Sequence, residues 1–320
     1  AQQPATSKEE GNLVAFSGPD FKATFDKQSG LLTSYLYKKH EYILNGQGPR
    51  PFFWRAPTDN DYGANLPVRL KAWKEASYQE PKAESFQVTP GSNATTIKVT
   101  YRFPQTDARW DITYKIYASG VIKVDNRFVA EGDQAPMIPR VGLRMQLPES
   151  FTDLTYYGRG PKENYRDRRT SQFIGEYAIP VKDMYEPYVR PQENNHRTDI
   201  YWCALTDKTQ RGLLLIADRT FELNTSNYPL ESMDSGDTID NSAPRTEKTH
   251  HRHLTDPLPE KMVDLFIDYR MMGVGGDDSW GATAHEPYLI RPGKENAIEY
   301  GFSLVPFDKK EDYKYLIRQY

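Results

Sequence analysis

The sequence is nearly devoid of cysteine. Cys203 is the single one in 320 residues, so no disulfide can form within the chain. As a nucleophile it would need a partnered histidine. In the context Tyr201-Trp202-Cys203-Ala204-Leu205 it reads instead as a small residue of a buried strand. An excess of one charge sign is also missing: the net charge is −3, and no basic footprint argues for nucleic acid. No apolar run approaches the roughly 20 residues of a membrane span. Ala1-Gln2-Gln3-Pro4 has no initiator Met, charged n-region or apolar h-region; it reads as a trimmed end, with no signal peptide. Helical signals are scarce. Residues 66–76 are predicted to form one short helix and 180–184 a turn. There is no strand–helix alternation of the kind that builds a (β/α)8 barrel.

What the chain does have is aromatic and strand-forming. Its 22 Tyr and 14 Phe suit strands and binding surfaces better than helical bundles. Phe21 to Phe25, a turn over Asp26-Lys27-Gln28-Ser29-Gly30, and Leu31 to Leu36 give a hairpin signal. From Thr95 to Phe103, Thr96, Lys98 and Thr100 alternate with Ile97, Val99 and Tyr101, the period of a strand with one face buried. Trp110 to Tyr117 repeats the pattern, Ser119-Gly120 turns it, and Val121 to Asp125 returns. Further strands are read at 213–216, 262–269 and 298–305. These elements predict one large antiparallel sandwich over residues 11–307. Residues 1–10 are expected to be disordered, and 308–320 to form an extension with a small helix or an ordered arm.

Long polar and aromatic loops are expected at 51–63, 158–169 and 184–198; such loops in a sandwich are usually functional or form interfaces. Asp59 and Asp61, in Arg55-Ala56-Pro57-Thr58-Asp59-Asn60-Asp61-Tyr62-Gly63, look like the start of a calcium loop. Gly63 stands where a third ligand is needed, and the closing bidentate Glu is missing. The favoured reading is a turn built from side-chain to backbone bonds, with a sugar-facing or interface loop as the alternative. Glu163, Asn164 and Asp167 lie among three arginines behind Gly160-Pro161. A rigid loop of Arg–carboxylate pairs is favoured there over a rim that binds sugar hydroxyls. Glu163 and Asp167 as a retaining glycosidase pair would need a separation of about 5 Å, and the interspersed arginines argue against it. His250, His251 and His253 tempt with zinc, but no further ligand is spaced to complete a site. Asn93-Ala94-Thr95 and Asn224-Thr225-Ser226 fit the glycosylation sequon, a pattern common by chance. Gly275-Gly276-Asp277-Asp278-Ser279-Trp280 predicts a turn, since Gly accepts φ > 0 and Asp bonds its own backbone. Trp280 on such a turn is an exposed aromatic platform suited to the apolar face of a sugar.

Five stretches, in order, give the chain a resemblance to a known family. They are Trp54-Arg55-Ala56-Pro57-Thr58-Asp59-Asn60-Asp61; Gly158 to Arg168; Asp183-Met184-Tyr185-Glu186-Pro187-Tyr188-Val189 with Pro191-Gln192-Glu193-Asn194; His251-Arg252-His253-Leu254; and Gly275 to Trp280. Together they resemble the C-terminal domain of the lactose-hydrolysing β-galactosidases of glycoside hydrolase family 2, over roughly residues 11 to 307. The resemblance implies an all-β, large antiparallel β-supersandwich of galactose mutarotase-like fold. It implies a multidomain parent, often homo-oligomeric, that hydrolyses terminal β-galactosides with retention. The parent's glutamates and its Mg²⁺ and Na⁺ sites would lie in a barrel domain upstream. This chain would supply Trp280, stacked on a β-galactoside shared with that barrel, and no catalytic residue, cofactor or metal ligand. Asp59, Asp61, Glu163 and Asn164 are the weaker candidates for a rim. The alternatives are a carbohydrate-binding module, for which weak or undetectable binding by the chain alone is expected, or an aldose 1-epimerase-like enzyme, which needs a His and a Glu facing one anomeric carbon.

Overall fold

The computed structural model describes residues 3–131, 137–236, 253–278, 281–309 and 311–320. Strands dominate it and pair antiparallel throughout. The first five, β1 (Thr6–Glu10), β2 (Leu13–Ser17), β3 (Phe21–Asp26), β4 (Leu32–Tyr37) and β5 (His40–Glu41), form one sheet in sequential order. The segment read as disordered is thus partly a strand. β1 is exposed along its whole length but pairs residue for residue with β2, so backbone hydrogen bonding orders a sequence that has no apolar face.

A twelve-stranded sheet follows. Its strands are β6 (Arg50–Phe52), β7 (Ala83–Thr89), β8 (Thr95–Phe103), β9 (Ala108–Ile116), β10 (Ile122–Ala130) and β11 (Arg140–Pro148), then β12 (Asp153–Gly160), β13 (Phe173–Pro180), β14 (Arg197–Thr206), β15 (Gly212–Ser226), β16 (Met262–Met271) and β17 (Ile298–Phe307). The predicted helix over 66–76 is two short ones, α2 (Leu66–Arg69) and α3 (Lys71–Tyr78), after a one-turn α1 (Asp59–Gly63). Leu70 separates the two at φ −112°. The main core fills the space between the sheets. Phe25 meets Tyr114 edge-on at 5.1 Å, and Phe53 packs on Trp73, Phe103, Trp110 and Phe128 at 5.0–5.6 Å. Cys203 is buried, and burial pushes its thiol well above the usual range, as befits a core residue. A smaller cluster around Trp202, Leu214, Ile216, Val305 and Phe307 is covered by Tyr313, Leu316 and Ile317 of α4 (Tyr313–Ile317). The tail therefore caps an apolar patch. No helix among the described residues is long and apolar enough to cross a membrane.

The large sheet forks. The first half of β15 pairs with β17, ending at Ala217, and the last part pairs with β16, beginning at Glu222. Residues 218–221 between them pair with neither. β17 leads on to β10, β9, β8 and β7, while β16 leads to β11 and β6. A cleft of about 790 Å³ opens at this fork. Strand alternation lines it: on β9 the even positions from Ala108 to Ile116 are buried in the core, leaving Asp111 and Thr113 toward the cleft.

Candidate functional site

The segment after β16, which carries the Gly-Asp turn, is held at several points. The rim begins at α1. Thr58 caps it in a capping box: the Asp61 amide donates to Thr58 Oγ1 at 3.1 Å and the Thr58 amide to Asp61 Oδ2 at 3.0 Å. This is the turn of side-chain to backbone bonds read from the sequence. Arg55 completes it. Its Nε and Nη2 grip the two oxygens of Asp61 at 3.0 and 2.8 Å, while Nη1 and Nη2 donate to the carbonyls of Met272 and Gly273 at 2.7 and 3.1 Å. The pair is almost wholly buried. A buried charge pair persists only when its remaining donors are satisfied, and here those donors hold the start of the loop.

Asp167 takes the next two residues: Val274 and Gly275 donate their amides to its two carboxylate oxygens at 2.9 and 2.8 Å. Asn60 Nδ2 donates to the Val274 carbonyl at 3.2 Å. Gly275 and Gly276 have φ of +73° and +118°, the turn geometry their sequence predicts. The Ala282 amide donates to Asp278 Oδ1 at 3.0 Å, and Asp277 Oδ2 lies 2.5 Å from His285 Nε2. At Gly281, φ is +103° and a Cβ would come within 2.2 Å of the Gly63 carbonyl carbon. No side chain fits there, so this loop rests directly on the last turn of α1. Ser279 and Trp280 themselves lie outside the described residues, as do His250 and His251.

The other candidates separate. Asp59 is exposed and pairs with Arg190, whose guanidinium covers the Tyr62 ring at 4.8 Å. Asp61 and Asn164 are buried, so neither presents the open surface that the alternative reading, a sugar-facing rim, requires of them. Asn164 has no exposed surface: its amide donates to the Arg159 and Lys162 carbonyls and its oxygen accepts from Thr198. Glu163 is engaged by Arg168, the Tyr188 hydroxyl and the Asn195 amide. Glu163 and Asp167 therefore serve different partners and do not form a free carboxylate pair. His253 sits in a turn, its amide donating to Asp256, and no metal-ligating cluster occurs among the described residues. Asn224, of the second sequon, is buried.

Sequence reading missed a buried ionic network behind the rim. His196, which precedes β14, places Nε2 2.7 Å from Glu222 Oε2 and Nδ1 2.6 Å from Asn224 Oδ1. The Asn224 amide nitrogen donates to Glu193 Oε1 and the Asn194 carbonyl, both at 2.8 Å, so its oxygen is the acceptor facing the histidine. Both ring nitrogens face acceptors, the pattern of an imidazolium. Burial opposes that charge, but the bond to Glu222 and the negative field of Glu222, Asp268 and Glu193 outweigh it and raise the histidine pKa. Burial likewise opposes ionised Glu222, yet His196, Arg166 and the Met271 amide hold its pKa below normal. Asp268 is pushed by burial up to about 7, against the pull of Arg140 and His196. Arg140 Nε lies 3.1 Å from Asp268 Oδ2, close enough for an ion pair but too poorly aligned for a hydrogen bond. Tyr165 stacks on His196 at 5.3 Å. A His and a Glu are thus brought together, as an epimerase would require, but both are fully buried and mutually occupied. One signal was available: Asp264 and Asp268 interrupt the apolar run of β16.

Comparison with known proteins matches this chain, over residues 17–304, to the family described as "Beta galactosidase small chain". It is 33% identical over 291 residues to a β-galactosidase of Priestia megaterium, covering 91% of this chain and 26% of the relative. It is 30% identical over 294 residues to one of Halalkalibacterium halodurans, covering 91% and 27%. The chain thus spans about a quarter of the length of these curated relatives. Among solved structures, an α-N-acetylgalactosaminidase of Bifidobacterium bifidum matches with a TM-score of 0.50 at 11% identity, over 96% of this chain and 38% of that one. A galactose 1-epimerase of Lactobacillus acidophilus gives 0.48 at 6% identity, over 95% and 97%. On the match spanning both sheets and the loop-holding rim, the chain belongs to the β-galactosidase small chain family.

Proposed function

We propose that this chain is the C-terminal domain of a larger retaining β-galactosidase of glycoside hydrolase family 2, acting on terminal β-D-galactosides. On this reading the acid/base and nucleophile glutamates, with Mg²⁺ and Na⁺, belong to a barrel domain outside the chain. The parent functions as a homo-oligomer. The chain contributes no catalytic residue; Trp280 supplies one wall of the galactoside site. The observation that carries the reading is the hold on both sides of residues 279–280: Arg55, Asn60 and Asp167 fix Met272 to Gly275, and Gly281 sits against Gly63. A loop that only joined two strands would need no such restraint. The restraint orders both flanks in advance, so less entropy remains to be lost when a sugar docks.

Trp280→Ala in the complete enzyme tests this. Stacking of ~1–2 kcal/mol corresponds to a loss of about 5–30-fold, expected chiefly as a higher KM for galactosides. Unchanged galactoside kinetics would remove Trp280 from the site. The 320-residue chain alone is expected to leave a chromogenic galactoside intact.

A further inference from the structure

We infer that the cleft at the sheet fork is a second ligand site, distinct from the Trp280 rim, and that it takes a sugar bearing a carboxylate or phosphate. The inference rests on which wall groups are already engaged. Each acid on the wall has a cation. Asp111 pairs with Arg109 at 3.0 Å and Glu299 with Arg127 at 3.4 Å. Asp125 and Asp218 share Lys123, at 2.9 and 2.6 Å. Asp199 lies between Arg159 and Arg169, each at 2.8 Å, and although burial opposes its charge those arginines with Arg166 hold its pKa below normal.

The cations are not all matched in return. Lys98, Arg219 and Arg270 line the cleft, and none has an ion-pair or hydrogen-bond partner among the described residues. Arg270 Nε is buried with no acceptor, while its guanidinium rests 5.3 Å from the Tyr269 ring centre. A buried donor without a partner is costly; with Nε occluded, the Nη groups of Arg270 are the donors a ligand in the cleft would meet. The surplus is positive in a chain whose net charge is −3. Two free guanidinium forks are the groups best shaped for a carboxylate or phosphate. The wall also offers hydroxyls of Thr113 and Thr220 and the rings of Tyr269 and Tyr300, 6.1 Å apart. At about 790 Å³ the cleft is of small-ligand size, within the ~300–1,000 Å³ of typical sites. Gly301 makes room for the Lys123–Asp218 pair on this wall: a Cβ there would meet the carboxylate of Asp218 at 2.4 Å and the Lys123 ammonium at 2.6 Å.

The test is calorimetric titration of the 320-residue chain with galacturonate, galactose 6-phosphate, galactose and sodium sulfate. Binding of at least one acidic sugar is expected, about tenfold or more tighter than galactose or sulfate, and weakening with added salt. Whichever acidic sugar binds tighter identifies the oxyanion. Arg219→Leu/Arg270→Leu should lose about tenfold or more, while Trp280→Ala should bind as wild type. Arg219→Leu alone, at an exposed position, keeps the test valid if the double variant misfolds. Absence of binding by both acidic sugars overturns the inference. So does galactose or sulfate binding equally well, or binding that survives both arginine substitutions. Loss on Trp280→Ala would assign the binding to the rim instead.

Discussion

Arg166 and Asp167 are neighbours in the chain and serve different regions. Asp167 accepts two amides of the loop that precedes Trp280; Arg166 lines the cleft and binds Glu222 behind it. Both regions are built from arginines and carboxylates. At the rim all three guanidinium nitrogens of Arg55 donate, to Asp61 and to two loop carbonyls. In the cleft, Arg219 and Arg270 have no acceptor among the described residues. The same chemistry thus gives rigidity where donors are saturated by backbone and a binding surface where they are not. The His196–Glu222–Asp268 network lies between the two and ties them to one scaffold.

The sharpest way to break the contrast is at Arg55. Arg55→Met would leave Asp61 buried and uncompensated, with an expected cost of ~3–5 kcal/mol in urea unfolding. A loss below ~1 kcal/mol would mean that the pair behaves as a surface bridge. Gly281→Ala comes next. Positive φ and contact with α1 together should cost about 2–4 kcal/mol, whereas a neutral result would show that the loop does not rest on α1.

The network between the regions should report in pH dependence. Asp268 is raised to about 7 in the folded state from an ordinary 3.8, so its contribution is fully present below pH ~4 and is lost as pH rises to about 7. The slope is at most about 1.4 kcal/mol per pH unit. His196, also raised, acts in the same direction at higher pH, and Glu222, lowered, acts oppositely in acid. Asp268→Asn should flatten the stability profile between pH 4 and 7; an unchanged slope would place the titration elsewhere. Smallest is the effect of Arg219→Leu on folding, expected within ~0.5 kcal/mol, because its side chain is exposed and has no partner among the described residues.

Much of the fold was legible where one sheet face is buried. The reading of Thr95 to Phe103 coincides with β8, and the hairpin from Phe21 matches β3 and β4. Some strands escaped. β11 is buried at nearly every position, with Arg140 and Arg144 inside it, so neither period two nor hydrophobicity marks it. β13, an edge strand, carries Gly175 and ends at Pro180. The Gly-Asp turn was visible because its residues are contiguous. Its clamp was not: Arg55, Asp167 and Gly273 are far apart in sequence, and Asp167 looked like another arginine partner. The cleft was invisible for the same reason, since its wall is assembled from β8, β9, β10, β14, β15, β16, β17 and the loop that carries Arg166.

The most direct measurement is a double-mutant cycle on galactoside KM in the complete enzyme, combining Asp167→Ala with Trp280→Ala. If Asp167 acts by placing Trp280, Asp167→Ala alone raises KM, and the double variant is no worse than Trp280→Ala within about 0.5 kcal/mol. Wild-type KM for Asp167→Ala, or losses that simply add, would contradict the role assigned to the rim.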